Sequence, residues 1–142
     1  MKILIVCSTS FYHNIEDIKK DLELKKHKVF LPNCYDNPVT NDDNKEMSHL
    51  EYIKFFDDMY HESREKISLV DAILVLNYDK EKDGVLYKNY IGASTFLEMY
   101  EAFMQKKKIY ILNDYPKNML IEEIKGFNPI VLNGDLSLIE RL

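Results

Sequence analysis

Five short, continuously apolar runs constrain the fold of this chain more than any other feature. They are rich in β-branched and aliphatic side chains and lie at residues 2–7, 27–31, 71–77, 108–113 and 129–133. Continuous apolar runs of this length are typical of strands in a parallel sheet that is buried on both faces, whereas half-exposed strands alternate apolar and polar residues. The sequence therefore predicts a five-stranded parallel sheet.

Segments whose apolar residues recur at helical spacing separate these runs. Helices are predicted at residues 14–26, 48–69, 94–106 and 118–125, with a last turn at 137–142. Ser48 and Glu51 form a capping-box pattern at the start of the second helix, and Gly126 is a predicted C-cap of the fourth. Inward-facing side chains are expected at Ile15, Ile18, Leu22, Ile53, Phe56, Tyr60, Ile67, Leu97, Ala102 and Met104. Two polar segments, 32–45 and 78–91, are predicted loops.

The alternation of strands and helices predicts right-handed βαβ units and hence an α/β fold. We expect a flavodoxin-like, Rossmann-like doubly wound sheet with strand order 2-1-3-4-5 and helices on both faces. A chain of 142 residues is expected to form one domain, residues 1–142. Sheets of this kind bind ligands at the carboxyl ends of the strands, beside the switch point between strands one and three.

The composition argues against several classes of function. With 19 basic and 24 acidic residues the net charge is −5, so we expect no nucleic-acid partner. No apolar run approaches the ~20 residues of a membrane-spanning helix, and the N-terminus lacks a signal-sequence pattern, so we expect a cytoplasmic protein with no membrane partner. The 2 cysteines and 4 histidines have no metal-ligand spacing, so we predict no metal and no disulfide framework.

Polar side chains follow the strands at the predicted ligand edge. Ser8, Thr9 and Ser10 come directly after the first strand, where hydroxyls and backbone amides can hold a phosphate or a sugar hydroxyl. The alternative is that they cap a turn. Asn77 and Asn113 end the third and fourth strands, and we expect them to border the same crevice.

Cys7 ends the first strand, and the residues around it exclude a cysteine phosphatase and a receiver domain. A phosphatase of the Cys-x5-Arg type needs an arginine where His13 stands, so Cys7 is interpreted as a small buried hydrophobe. A receiver domain needs acidic residues at this strand end. A flavin-binding electron carrier is disfavoured as well, because residues 8–13 lack the glycine and spaced hydroxyls of a flavodoxin phosphate loop.

The segment from Gly92 to Glu98 carries the most chemical information. Gly92 lets the backbone approach a ligand closely, and the helix that follows, beginning near Ser94, offers free amides and a positive dipole end. A carboxylate in the first turn is kept ionised, as a glycosyl-accepting nucleophile must be. The alternative is a capping box with Thr95 at the N-cap and Glu98 at N3, and one residue can serve both purposes.

Together these stretches resemble the nucleoside 2-deoxyribosyltransferase superfamily, which includes transferases and 2′-deoxynucleoside 5′-phosphate N-hydrolases. The matching pattern is a strand that opens with an acid, a glycine-containing loop, a helix with Glu and then Ala four residues on, and a lysine-led fourth strand. In this chain these are Asp71 and the strand to Asn77, Tyr90-Ile91-Gly92, Glu98 with Ala102, and Lys107-Lys108-Ile109.

The resemblance implies that Glu98 attacks the anomeric carbon of a deoxyribosyl group while the base leaves. Water or a second base then collects the sugar from the covalent intermediate. It further implies a small-molecule nucleoside or nucleotide as substrate, no cofactor, and a homodimer or higher homo-oligomer. Ser8, Thr9, Ser10 and Gly92 are expected to hold sugar or phosphate, with Asn77 and Tyr90 bordering the pocket.

Some positions depart from the family pattern or extend it. Where the family has a catalytic Asp on the second helix, this chain has Ser63, and Glu62 or His61 is the candidate substitute. The link from Asp79 to Asn89 is longer and poorer in glycine than in the family.

Two further sets of residues are candidates for the site. Asn128 is a candidate that one subunit of a dimer would contribute to the site of the other; the alternative is that it belongs to a helix end followed by a turn. Tyrosines that could stack on a base or merely pack are Tyr12, Tyr87 and Tyr90.

The position of Ser63 keeps a second class of function open. A non-catalytic nucleotide-sensing module would keep the crevice but would not need the family's acid. An enzyme of this type needs a second acid near Glu98 to protonate the leaving base, whereas a sensor needs only the pocket.

Overall fold

The strands form one five-stranded sheet and a separate ribbon. The computed structural model describes residues 1–39, 41–117 and 119–140. In chain order the strands are β1 (Lys2–Val6), β2 (Lys28–Phe30), β3 (Ala72–Val75), β4 (Lys80–Lys82), β5 (Val85–Tyr87), β6 (Lys108–Ile111) and β7 (Ile130–Val131). The main sheet has the order β2-β1-β3-β6-β7 and all its pairs are parallel. The predicted doubly wound fold and strand order are therefore confirmed.

Helices cover both faces of the main sheet. They are α1 (Ile15–Leu24), α2 (Asn41–Glu46), α3 (His49–Ser68), α4 (Ala93–Met104) and α5 (Ile121–Gly126), with short 3-10 helices at Thr9–Asn14 and Leu136–Leu138. Successive residues of a strand point to opposite faces. Ile3 and Leu74 accordingly pack on the face covered by α1, whereas Leu4 and Ile73 pack on the face covered by α3, α4 and α5.

Both segments predicted as loops contain secondary structure, so those predictions are wrong in part. Residues 78–91 contain the β4–β5 ribbon, and residues 32–45 contain the start of α2. The ribbon turns through Asp83 and Gly84, both with positive φ, and Asp-Gly is the preferred sequence for a two-residue hairpin turn. That signal was present in the sequence. Thr40, which falls within the second segment, lies outside the described residues.

Several predicted helix ends shift in the structure. Ser48 is the N-cap of α3, and its Oγ accepts a hydrogen bond from the Glu51 amide at 3.2 Å, as the capping pattern predicts. Gly126 is not a C-cap: α5 includes it, Phe127 follows as the cap, and Asn128 adopts the left-handed conformation with φ of 53°. Asn can replace Gly at this position. The predicted start of this helix at Asn118, and Arg141 and Leu142 of the last turn, lie outside the described residues.

Some side chains expected to face inward are exposed. On α3 these are Ile53 and Tyr60, and on α4 they are Leu97 and Met104. A helix of 20 residues is about 30 Å long, far longer than the strands beneath it, and the residues of α3 that are buried, Ser63 and Ile67, lie near its carboxyl end. On α4 the apolar residues occur on every side, and burial selects the stripe of Thr95, Met99 and Ala102. Ile15, Leu22, Ile67 and Ala102 are buried as predicted, and Ile18 and Phe56 are half-buried.

Within the described ranges, no helix is both long and apolar enough to cross a membrane.

Candidate functional site

A cavity of about 310 Å³ opens at the carboxyl ends of the strands. It is lined by the residues that follow β1 and β2, the amino end of α4, the β4 strand of the ribbon and one side of α3 between residues 55 and 63. This place is the switch point between β1 and β3, where doubly wound sheets bind ligands. Its volume lies near the lower end of the roughly 300–1,000 Å³ typical of small-molecule sites.

Glu98 lies in the second turn of α4 and reaches this cavity. Its Oε2 accepts a hydrogen bond from the Ser63 hydroxyl at 3.2 Å. Ser63 is buried, and its Oγ accepts a hydrogen bond from Asn33 Nδ2 at 2.8 Å. The same amide donates to the Met59 carbonyl at 3.1 Å, which fixes the Asn33 side chain against α3. A relay from Asn33 through Ser63 therefore orients the carboxylate.

The environment of Glu98 changes its acidity. Burial raises the pKa of Glu98 from 4.5 to about 7, while the Ser63 hydrogen bond and the positive charge of Lys66 oppose part of that rise. Burial disfavours the charged form, and a donor or a cation favours it. Near neutral pH the carboxyl group is therefore divided between its ionised and protonated forms. Such a perturbed group in a cleft is typical of functional sites.

Glu98 does not cap its own helix. The N-cap of α4 is Gly92, which makes no side-chain capping hydrogen bond, and the helix begins at Ala93. Thr95 is therefore an interior residue of the first turn, and it is buried. The capping-box interpretation of Thr95 and Glu98 is wrong, because the helix starts three residues earlier than that pattern requires.

Glu62 and His61 do not stand beside Glu98, so the expectation that either replaces the family's acid is wrong in its geometry. Glu62 is exposed and pairs with Lys66 at 3.4 Å, and His61 is exposed and pairs with Asp57 at 3.4 Å. Each step along a helix turns a side chain by about 100°. With Ser63 facing the cavity, its two preceding neighbours point away from it.

The segment after β1 contributes part of the cavity wall. Ser8 and Thr9 line the cavity, whereas Ser10 is not among the described lining residues. Ser8 also caps the following 3-10 turn, since its Oγ accepts a hydrogen bond from the Ser10 amide at 3.4 Å. Cys7 is buried as predicted, and both burial and the nearby Glu98 raise the pKa of its thiol. The thiol thus stays protonated, which disfavours it as a nucleophile.

Asn77 and Asn113 bond to each other's strand ends and are absent from the described cavity lining. The Asn113 amide donates to Asn77 Oδ1 at 2.8 Å, and Asn77 Nδ2 donates to the carbonyls of Asn113 at 3.2 Å and Asp114 at 2.8 Å. Asn113 Nδ2 in turn donates to the Asn77 carbonyl at 3.1 Å. These contacts join the ends of β3 and β6, so the expectation that both residues border the pocket is wrong.

Tyr90, Gly92 and Ser94 line the cavity at the amino end of α4. A Cβ on Gly92 would lie 3.3 Å from the Tyr90 hydroxyl, so the absence of a side chain there permits close packing of this tyrosine. Tyr12 also lines the cavity, and its hydroxyl donates to the Asn33 carbonyl at 2.9 Å. Tyr87 packs edge-on against Tyr90 and is not among the described lining residues.

Sequence reasoning missed Asn33 and the lysines of β4. Asn33 is buried, and its Oδ1 has no hydrogen-bond partner among the described residues. Lys80 and Lys82 line the cavity from β4. Their signal was the alternation of Lys80, Glu81 and Lys82 before the Asp-Gly turn, which places both lysines on one face of a strand.

Asn128 lies away from this cavity. It is exposed, and its amide donates to the Lys125 carbonyl at 2.9 Å, as at a helix end. Its contribution to a site across a dimer, and the homo-oligomer itself, stay predictions. Among the described residues, no group of three or more His, Cys, Asp or Glu side chains could hold a metal ion.

Comparison with known proteins relates the chain to a nucleotide enzyme by fold alone. No family model matches the chain, and no curated protein matches it by sequence. Among solved structures, a CMP N-glycosidase of Clostridium botulinum, BcmB, superimposes with a TM-score of 0.52 at 18% identity. The match covers 92% of this chain and 85% of the glycosidase. At this identity the comparison establishes a shared α/β fold.

Proposed function

We propose that the protein is an enzyme that cleaves or transfers at the N-glycosidic bond of a nucleoside or nucleotide, with Glu98 as the nucleophile. The observation that carries this proposal is the Glu98 carboxylate in the cavity at the switch point, held through Oε2 by Ser63. Among the described residues no hydrogen bond engages Oε1, so this oxygen is free to attack. The fold shared with a CMP N-glycosidase supports the same class of reaction.

The reaction follows the chemistry of a retaining glycosidase. An ionised Glu98 oxygen bonds to the anomeric carbon, the carbon–nitrogen bond breaks, and its electron pair leaves with the base. Glu98 is the sole carboxylate among the described lining residues, so no second carboxyl group acts as the acid, and the departing base takes its proton from a water molecule, which is left as hydroxide. That hydroxide, or another base whose proton the hydroxide takes, then displaces Glu98 from the anomeric carbon and restores the carboxylate.

The cavity offers groups that suit a glycosyl ligand. Ser8, Thr9 and Ser94 bring side chains with hydroxyl groups to the lining, and Tyr90 brings an aromatic ring and a hydroxyl. Hydroxyls of this kind bond to sugar oxygens, and an aromatic face packs against a ring. We assign these residues to substrate binding.

The proposal is tested by detecting free base after incubating the protein with deoxynucleosides, ribonucleosides and their 5′-monophosphates. We expect base release by the wild type and its loss in Glu98→Ala and Glu98→Gln, because both variants lack the attacking oxygen anion. Glu62→Gln is the matched control: it removes an exposed carboxylate from the outer side of α3 and should leave base release unchanged. Equal release by wild type and Glu98→Ala would refute Glu98 as the nucleophile.

A non-catalytic nucleotide-sensing module is the second candidate. Ser63, where the resemblance expects an acid, and the single carboxylate of the described lining favour it. A sensor predicts binding without turnover: no base is released from any substrate, while nucleotides still raise the melting temperature. Base release that depends on Glu98 excludes the sensor.

A further inference from the structure

The β4–β5 ribbon presents two lysines to the cavity. The strands pair antiparallel, with Lys80 opposite Tyr87 and Lys82 opposite Val85. Residues two apart on a strand share a face, so Lys80 and Lys82 point to the same side and Glu81 to the other. In agreement with this geometry, both lysines line the cavity and Glu81 does not appear in its described lining.

In the part of the chain that the structure describes, no carboxylate neutralises either lysine. Among the described residues, no carboxylate forms an ion pair with Lys80 or Lys82. Lys80 Nζ instead lies 4.8 Å from the centre of the Tyr90 ring, which holds it at the cavity. Burial and the charge of Lys82 lower the pKa of Lys80. Two like charges at one cavity are unfavourable on their own, and an anion between them removes that cost.

Lys80 and Lys82 are distinct from the cation that lowers the pKa of the Glu98 carboxyl group. The positive charge that lowers the pKa of Glu98 is that of Lys66 on α3. Lys66 is held elsewhere, by Glu62 and by the Leu31 carbonyl at 3.1 Å. The ribbon lysines are therefore available to a ligand group that does not sit at the reacting carbon.

The amino end of α4 adds a second favourable feature for an anion. Gly92, Ala93 and Ser94 line the cavity at the first turn of this 12-residue helix. That turn has no side-chain cap and no acidic residue. Its free amides and the positive end of the helix dipole attract negative charge. Asn33 Oδ1, which has no hydrogen-bond partner among the described residues, also belongs to the lining; as an acceptor it suits a donor on another part of the ligand rather than the anionic group itself.

We propose that Lys80 and Lys82, together with the amino end of α4, bind the phosphate group of a phosphate monoester, so that the cavity selects 5′-nucleotides over nucleosides. This inference rests on the proposed function for the identity of the rest of the ligand. The phosphate subsite itself concerns binding, and it is measured separately from turnover.

The test is calorimetric titration of Glu98→Gln, which prevents turnover, with each nucleoside 5′-monophosphate and its parent nucleoside. We expect at least one monophosphate to bind on the order of tenfold tighter than its nucleoside, with inorganic phosphate competing for the site. Adding Lys80→Gln and Lys82→Gln should remove this preference, and Lys80→Arg with Lys82→Arg should retain it. Glu81→Gln is the matched control on the opposite face of the strand, and it should keep the preference. The preference should also weaken as the salt concentration rises.

Three results would overturn the subsite: equal affinities for nucleotide and nucleoside, a preference that survives loss of both lysines, or no binding of any nucleotide or of inorganic phosphate. Lysine-dependent nucleotide binding without base release from any substrate would keep the subsite and reject the proposed reaction. Glu98-dependent base release from nucleosides and monophosphates alike, unaffected by the lysine variants, would keep the reaction and reject the subsite.

Discussion

Ser63 holds the proposed nucleophile through a single hydroxyl hydrogen. Its Oγ accepts from Asn33 and donates to Glu98, so the direction of both hydrogen bonds is fixed. A donor to a carboxylate favours the ionised form, and the resemblance expects a carboxyl group at this position instead. The hydroxyl of Ser63 therefore orients the Glu98 carboxylate, whereas the carboxyl group that the resemblance expects at this position could also transfer a proton.

Ser63→Ala should raise the pKa of Glu98 above about 7, because the hydrogen bond that lowers it is lost. If Glu98 attacks in its ionised form, base release rises with pH through this pKa. We expect the midpoint of the pH–rate profile to move upward and activity at neutral pH to fall, with recovery at higher pH. Ser68→Ala, which removes an exposed hydroxyl of the same helix, is the control. An unchanged midpoint in Ser63→Ala would contradict this role.

The raised pKa of Glu98 also predicts how the free energy of unfolding depends on pH. Its folded pKa of about 7 lies above the ordinary value of 4.5, so the folded state binds the extra proton and loses stability as pH rises from 4.5 to 7. The loss is absent below this window and complete above it, at up to roughly 3 kcal/mol. Glu98→Gln should therefore unfold at higher urea than wild type at pH 8 and at similar urea at pH 4. Glu62→Gln, an exposed change, should behave like wild type at both.

At the scale of elements, Asn77 joins the ends of β3 and β6. It is fully buried and bonds to backbone groups of Asn113 and Asp114. Asn77→Ala leaves a buried amide and buried carbonyls without partners, at a cost of about 2–4 kcal/mol. We expect urea denaturation to show this loss. Asn113→Ala, at a half-buried position, should cost less, and an Asn77→Ala protein as stable as wild type would contradict the assignment.

The main sheet was predictable from sequence because its signal is local and redundant. Each strand is a continuous apolar run, and right-handed crossover connections limit the possible orders of parallel strands to a few. The ribbon was missed because its strands are exposed and short, so apolar periodicity does not mark them. The sequence signals for it were the Asp83–Gly84 turn and the alternation of Lys80, Glu81 and Lys82 before that turn.

The candidate site was only partly predictable, for a different reason. Glu98, Ser8, Thr9, Tyr90, Gly92 and Ser94 follow strands or begin a helix, and topology alone brings such positions together. Asn33, Lys80 and Lys82 reach the cavity through loop and ribbon geometry. Glu62, considered as a substitute for the family's acid at the position of Ser63, is one residue away, which on a helix puts its side chain on another face.

At the scale of the whole molecule, both faces of one sheet carry buried clusters that share its strands. Such clusters cannot separate without breaking the sheet, so the chain should unfold as one cooperative unit, in accord with the single domain predicted from its length. Far-ultraviolet circular dichroism and the near-ultraviolet signal of the 10 tyrosines should give coincident urea transitions. Two separated transitions would contradict a single domain.

The ribbon shares no strand with the main sheet. Its side chains can therefore be exchanged without altering the strand register that fixes the position of the proposed nucleophile. A chain assembled in this way has its proposed nucleophile positioned by the main sheet and its proposed phosphate contacts on a separate ribbon. Replacing the segment between Asp79 and Asn89 with a hairpin from another protein is thus a direct route to altered ligand selectivity. Ligand selectivity can then change through the ribbon while the position of Glu98 stays the same.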